Sequence, residues 1–447
     1  MPNKLLLVFN KIRNMYLPQG AFILSTLTFL SYLLGLIRDR MFARTFGAAG
    51  TLDAYNAAFI LPELILDVLV AGALGAAFIP IFTGVEEKDK KEAALFARTV
   101  ITLAVLTMFI ASILIIVFAP YTVNIIVPGF DATHKTLFIK LLRLLALAPI
   151  IFSASIAIGE LLVVKRRFLA YGLAPVLYNF GIIAGTFFLG GTFGIFGVAI
   201  GTLFGALLHL AIRLIDILMS GFIPVPALKV KTKEFLSFFW LMLPKMAGHP
   251  VEPLTFLFFT AAASNFGQGS VTTINFARNF QSVPVALIGI AFAIASFPGL
   301  ARAFAEKDRW LFAKIFKGTA LGILALTIPA AIIIYLFNTL IIKTFLGGGA
   351  FDEKAVLDTA MILGFFALSV PLESLSHLLA RAFYATKNTA WPVGASFLAL
   401  IITVLTANYL SPQMGIASIP LAFAAGNAAK IGLLGMLLPA RIRKITK

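Results

Sequence analysis

The sequence predicts an all-α polytopic membrane protein, with about twelve transmembrane helices in two pseudo-symmetric six-helix halves. Three observations predict it. Of 447 residues, 60% are hydrophobic and only 12% charged, about half the ~25% of a soluble domain, so polar side chains are too few to cover a surface in water. Apolar runs of the ~20-residue length that crosses a bilayer recur about a dozen times along the chain. Finally, three pairs of segments resemble one another at offsets of 217 to 221 residues.

Taken in order, residues 1–20 hold Lys4, Lys11 and Arg13 among short apolar runs and have no small-residue cleavage site, which reads as a retained interfacial helix. Breaks at Gly, Pro and charged residues then delimit helices at 21–47, 52–84, 94–118, 136–163, 170–190 and 193–219. A basic linker at 220–232 follows. The second series falls at 233–262, 270–300, 312–337, 355–385, 390–410 and 414–438, ahead of a basic tail at 439–447. The expected domains are thus an N-lobe at 21–219 and a C-lobe at 233–438. Several helices exceed the length of one span, which implies tilt or kinks. Pro62, Pro149, Pro244, Pro284 and Pro371 lie inside apolar helices, where each removes a backbone hydrogen bond and favours a bend.

The repeats pair Phe130-Asp131 with Phe351-Asp352, Pro175 with Pro392, and Phe46 with Phe266. An even number of helices per repeat keeps both halves parallel in the membrane, an arrangement of transporters whose substrate site lies between repeats that rock against each other.

The net charge of +17 is explained by topology. With the N-terminus inside, 25 of the 36 basic residues fall in cytoplasmic segments, Arg213 among them. Six fall outside, and Arg38, Arg143, Lys245, Arg278 and Lys430 remain at membrane depth. That asymmetry satisfies the positive-inside rule and places both termini in the cytoplasm. It also removes the reason to expect a nucleic-acid partner. There is no cysteine, and the four histidines have no metal-ligand spacing. No Ser–His–Asp arrangement occurs. Neither an enzyme, a metal nor a cofactor is expected.

Arginine at the bilayer centre costs at least ~2.5 kcal/mol on insertion scales, so an intramembrane arginine points to function. Arg38, at the outer part of helix 1, and Arg278, inside helix 8, are the candidates. A guanidinium fork suits phosphate, and pyrophosphate most of all. Asp39 is positioned to orient Arg38. Arg40 and Arg44 read as interfacial anchors, and Asp53 either caps helix 2 or joins the substrate site. Lys245 and Glu252, seven residues apart on one face, and Glu373 and His377, at i and i+4, form a polar network with a possible part in ion coupling.

The residues that carry this reading also resemble a known family. "GLIRDRMFARTFGAAGTLDAYNAAFILPEL" with "AGALGAAFIPIF", "KRRFLAYGLAPVLYNFGIIAG", "INFARNFQSVP" with "GIAFAIASFPGLAR", and "GGGAFD" with "LARAFYATKNTAWPV" resemble, in order, the motifs of the MurJ (MviN) lipid II flippase family. The resemblance implies the fold of the multidrug/oligosaccharidyl-lipid/polysaccharide exporter superfamily, two six-helix lobes around a central cavity. It implies translocation of an undecaprenyl-pyrophosphate-linked glycan, lipid II, from the inner to the outer leaflet of the bacterial cytoplasmic membrane by alternating access. Membrane lipids and cell-wall synthesis proteins are the implied partners. Arg38 and Asp39 take the family's "RD" positions, Asp53 its "TDAF" aspartate and Arg278 its "ADR" arginine. Together they are the implied substrate-binding set.

The sequence departs from the family at Tyr32, Leu66, Asp67 and Ala71, where the family carries charged residues. Twelve helices are legible where the family commonly has fourteen. These departures admit two alternatives, a flippase for another polyprenyl-linked glycan and a cation-coupled multidrug exporter of the same superfamily.

Overall fold

The computed structural model describes residues 19–248 and 250–443; the expected interfacial segment with Lys4, Lys11 and Arg13 lies almost wholly outside them. Helices form nearly all of the described chain. In a bilayer the reason is direct: the hydrocarbon offers no partner to backbone N–H and C=O groups, so a spanning segment must satisfy them internally.

The helices are α1 (Gln19–Phe46), α2 (Gly50–Leu66), α3 (Gly72–Glu86), α4 (Lys90–Ile126), α5 (Ala132–Leu145), α6 (Ala148–Val164), α7 (Phe168–Phe193) and α8 (Ile195–Met219), followed by α9 (Lys233–Gly248), α10 (Val251–Ser264), α11 (Ser270–Pro284), α12 (Ala291–Ala305), α13 (Arg309–Phe345), α14 (Glu353–Ala367), α15 (Ser369–Ala385), α16 (Ala390–Met414) and α17 (Ser418–Arg443). Among the described residues nine helical stretches are long and apolar enough to cross a membrane, or ten if the pair α14–α15, bent by 43°, counts as one span. That count joins α16 and α17 into one stretch of 54 residues. The two helices in fact fold back on each other across a 3-10 turn at Gly415–Ala417 and pack along their length. The succession of helical stretches follows the twelve expected from the sequence.

Several expected bends are present. Pro149 and Pro371 each stand at the start of a new helix, α6 and α15, where a missing N–H is tolerated. Pro62 and Pro284 precede π-helical turns at Asp67–Ala71 and Val285–Ile290, which interrupt α2–α3 and α11–α12.

Those two π turns begin 218 residues apart, one of several backbone features that recur at the offset seen in the sequence. α4 and α13 are both 37 residues long and begin 219 residues apart. Asp131 and Asp352, 221 apart, each accept an N–H in the first turn of the following helix. Gly194 and Gly415, also 221 apart, share φ/ψ values of 56°/−134° and 54°/−136°. That conformation is open only to glycine, and it turns α7 into α8 and α16 into α17. The repeat is therefore written in the backbone as well as in the side chains.

The chain forms two compact units. The first takes residues up to Phe42, Ala58–Thr122 and Thr136–Pro250. Its core stacks Phe78 on Phe82 and Phe96, with Phe238 edge-on to Phe96. Its α7–α8 hairpin closes to backbone contact, with Gly185 against Gly201 and Gly181 against Gly205, so that a Cβ on any of them would strike the opposite main chain. Small residues in this register let membrane helices approach closely. The second unit takes Ala43–Ala57, Val123–Lys135 and everything from Val251. Its core gathers Phe312, Ile323, Leu378, Phe383 and Leu434, all fully buried.

Candidate functional site

Four polar arrangements stand out, each inside one unit. The first surrounds Arg38. Its Nε and Nη2 donate to Asp39 Oδ1 at 3.0 and 2.8 Å, and its Nη1 donates to Asn179 Oδ1 at 3.1 Å. Asn179, on α7, is itself held by donating to Ser31 Oγ at 3.2 Å and to the Pro175 carbonyl at 3.2 Å. The guanidinium also lies over the Phe42 ring at 5.8 Å. Asp39 is buried, while a quarter of the Arg38 side chain stays accessible. Glu63 lies within electrostatic range of both Arg38 and Asp67. The acid that replaces a family arginine at 67 therefore belongs to the surroundings of Arg38.

Arg278 is built differently. Its Nη2 donates to Glu373 Oε1 at 2.7 Å, its Nη1 contacts Gln281 Oε1, and its ring plane sits between Phe256 at 5.5 Å and Phe423 at 5.1 Å. Gln281 completes the arrangement by donating to Glu373 Oε2 at 2.9 Å and to Ser369 Oγ at 3.0 Å. Both carboxylate oxygens of Glu373 are engaged, and Arg278 is 9% exposed, its Nε without a hydrogen-bond partner. A buried pair of this kind is stable only because each charge has its counter-charge and its remaining polar atoms are largely satisfied. His377 lies one turn along α15 from Glu373, within electrostatic range of Glu373, Lys430, Glu252 and Arg278. The expected network of Glu252, Glu373 and His377 is thus a real cluster, to which the structure adds Arg278, Gln281 and Lys430. Glu252 is exposed in the first turn of α10. The side chain of Lys245 lies outside the described residues.

Asp53 takes a role beyond the two that the sequence suggested. It lies in the first turn of α2 and is fully buried. Its Oδ2 accepts the Gly269 N–H at 2.6 Å and its Oδ1 accepts the Thr272 N–H at 2.7 Å. The carboxylate therefore caps the N-terminus of a different helix, α11, where unsatisfied N–H groups and the helix dipole favour an anion. Nearby, the Arg44 carbonyl accepts the Ala350 N–H at 2.9 Å, and Ser264 Oγ accepts the Gly129 N–H at 3.1 Å. Residues 43–57 and 123–135, from the first half of the sequence, are in this way hydrogen-bonded into the second unit.

The fourth arrangement escaped the sequence reading. Arg213 was assigned to a cytoplasmic segment, but it is buried in the first unit at 5% exposure. Its Nη1 donates to the Ser155 carbonyl at 2.9 Å and its Nη2 to the Tyr171 carbonyl at 3.2 Å, with the Tyr171 ring 4.7 Å away. His209, one turn earlier on α8, shares a 2.8 Å hydrogen bond with Ser155 Oγ. The i, i+4 spacing of His209 and Arg213 on an apolar helix was the available signal, the same spacing that marked Glu373 and His377.

No group of three or more His, Cys, Asp or Glu side chains with metal-holding geometry occurs among the described residues. The arrangement offers charge-assisted donors to an anion at Arg38 and fixed internal pairing elsewhere.

Comparison with known proteins supplies the context. A family model described as "Lipid II flippase MurJ" matches residues 42–447. A probable lipid II flippase MurJ from Thermotoga maritima is 30% identical over 396 residues, covering 88% of this chain and 80% of its own length. One from Borreliella burgdorferi is 27% identical over 387 residues, covering 86% and 76%. Among solved structures, a lipid II flippase MurJ in an inward closed conformation superposes with a TM-score of 0.82 at 26% identity, covering 95% of this chain and 90% of its own. An inward-facing multidrug resistance MATE family transporter reaches 0.81 at 16% identity, a likeness of fold.

Proposed function

The chain belongs to the lipid II flippase MurJ family, and from that premise we propose that it carries lipid II, an undecaprenyl-pyrophosphate-linked glycan, from the inner to the outer leaflet by alternating access. It is a multi-pass membrane protein of a transporter family. The bacterial cytoplasmic membrane, with both termini on the cytoplasmic side, is the location this proposal requires, and the 25-to-6 division of basic residues supports it.

The observation that carries the reading is the seating of Arg38. Its guanidinium is fixed by Asp39 and Asn179 and still partly accessible. A pre-oriented guanidinium binds a pyrophosphate oxygen pair without first losing rotamer freedom. Asp39 and Asn179 act as positioning groups. Arg278, committed to Glu373 and Gln281, is proposed to support the site by fixing the positions of α11 and α15, and to offer charge to the headgroup through the field of the cluster. Asp53 is proposed to hold residues 43–57 to the start of α11 in the conformation described here, and to release them when the protein changes state.

The experiment is complementation. Cells depleted of their own lipid II flippase are supplied with this chain, and growth and lysis are followed. Rescue by the wild-type chain supports lipid II as cargo. Lysis despite confirmed membrane insertion contradicts it and favours a different lipid-linked glycan.

A further inference from the structure

The segment joining the two halves of the sequence is a docked strap. After α8 ends at Met219, residues 222–232 run extended along the start of α4. Arg98 Nε donates to the Ile223 carbonyl at 2.9 Å, and its guanidinium lies over the Phe222 ring at 5.7 Å. Thr102 Oγ1 accepts the Ala227 N–H at 3.0 Å, and Thr99 Oγ1 accepts the Lys229 N–H at 3.3 Å. Two N–H groups two residues apart facing one helix is the pattern of an extended segment laid against it.

The depth of this strap follows from α4. Arg98 is the last charged residue before an uncharged run that continues to the end of the helix at Ile126. At 37 residues, α4 is about 55 Å long, more than the ~40–45 Å of a bilayer with its headgroups. Its charged first turns therefore stand outside, and the strap docks at the level where α4 enters the apolar phase.

On the side away from α4, the strap exposes Ile223, Val225 and Leu228 at 58%, 50% and 61%. This apolar surface continues into Leu236, Phe239 and Trp240 of α9, which are also exposed. Lys229, Lys231 and Lys233 stand beside it, all exposed. Lys233 opens α9, where the helix dipole disfavours a cation unless an anion is near.

We propose that this strap is a binding surface for acidic phospholipid. Ile223, Val225 and Leu228 enter the boundary between headgroups and acyl chains, while Lys229, Lys231 and Lys233 take anionic headgroups of the same leaflet. The linker between the two halves is then anchored twice, to α4 by hydrogen bonds and to the leaflet by lipid. A lipid occupant is favoured over a protein because the apolar strip is continuous with the aromatic face of a helix entering the bilayer, where Trp marks the interface.

The sequence contains no cysteine, so a single label reports cleanly. Full-length protein carrying Leu228→Cys, labelled with an environment-sensitive nitrobenzoxadiazole, is placed in nanodiscs of phosphatidylcholine with increasing phosphatidylglycerol, with brominated acyl chains as quencher. The expected result is blue-shifted, quenched emission that saturates as phosphatidylglycerol rises. Lys231→Gln and Lys233→Gln should each raise the phosphatidylglycerol fraction needed by about fivefold, and Lys→Arg at both positions should restore the response even if the glutamine variants are less stable. Water-like emission in every disc overturns the proposal. So does a response independent of phosphatidylglycerol, or burial of the label that appears only when cytosolic protein is added.

Discussion

The Asp53 carboxylate accepts the backbone N–H of Thr272 at 2.7 Å across a sequence separation of 219 residues. A short side chain at the start of α2 thereby completes the first turn of α11. Its second oxygen takes the Gly269 N–H, and Asn56 Nδ2 donates to Thr272 Oγ1 at 3.4 Å. The site has the chemistry of an anion at a helix N-terminus, with the anion supplied by the protein.

Replacing Asp53 by alanine should remove this cap at a cost of about 1–2 kcal/mol. Hydrogen–deuterium exchange in the first turn of α11 should accelerate by roughly tenfold, because 1.4 kcal/mol is a factor of ten in an opening equilibrium. Asp53→Asn should fall between alanine and wild type, since asparagine caps but lacks the charge. Unchanged exchange in Asp53→Ala would show that the cap does not hold α11.

The Arg278–Glu373 pair should behave as a unit. Removing one partner strands a buried charge, at about 3–5 kcal/mol. Arg278→Gln and Glu373→Gln should each lower the melting temperature in detergent sharply, and the double variant should lose less than the sum of the two. Additive losses would mean that the two side chains are not energetically coupled in solution.

The α7–α8 hairpin should tolerate no side chain at its crossing. Gly201→Leu forces the backbones apart at Gly185, an overpacking worth about 1–3 kcal/mol, and should reduce the folded yield. Gly191, whose Cβ would meet open space, should accept alanine with little effect. Equal outcomes at both positions would contradict the close approach.

Asp131 lies outside the membrane spans and caps α5. The His134 backbone N–H, followed by the His134 ring, holds its carboxyl below the usual carboxylate range. A lowered pKa in the folded state means that this contribution is present above the unfolded value of about 4 and is lost as pH falls further. Order in the first turn of α5 should therefore be unaffected by Asp131 titration between pH 5 and 8 and decline below about pH 4. Asp131→Asn should abolish that acid-side decline, measured by exchange of the α5 amides against wild type.

How much of this was legible beforehand depends on the kind of signal. Hydropathy located the helical stretches, because in a bilayer the apolar run and the helix are physically the same requirement. Pro62 and Pro284 announced bends, but not that π turns would absorb them. The buried pair was half visible: Glu373 and His377 shared a helix face, whereas the Arg278 contact to Glu373 spans 95 residues and leaves no local trace. Arg213 was misplaced because a cation within two turns of a helix end looks the same whether it snorkels to the interface or turns inward onto backbone carbonyls. Asp53 was recognised as a cap, yet the helix it caps was invisible in a one-dimensional pattern.

The most direct test of the account is leaflet accessibility of lipid II in flippase-depleted cells that carry this chain as wild type, Arg38→Ala or Arg278→Ala at matched membrane levels. The account predicts that wild type restores outward exposure of lipid II, that Arg38→Ala abolishes it, and that Arg278→Ala reduces it along with stability. Full exposure in Arg38→Ala cells would contradict the role given to that guanidinium and, with it, the proposed mechanism.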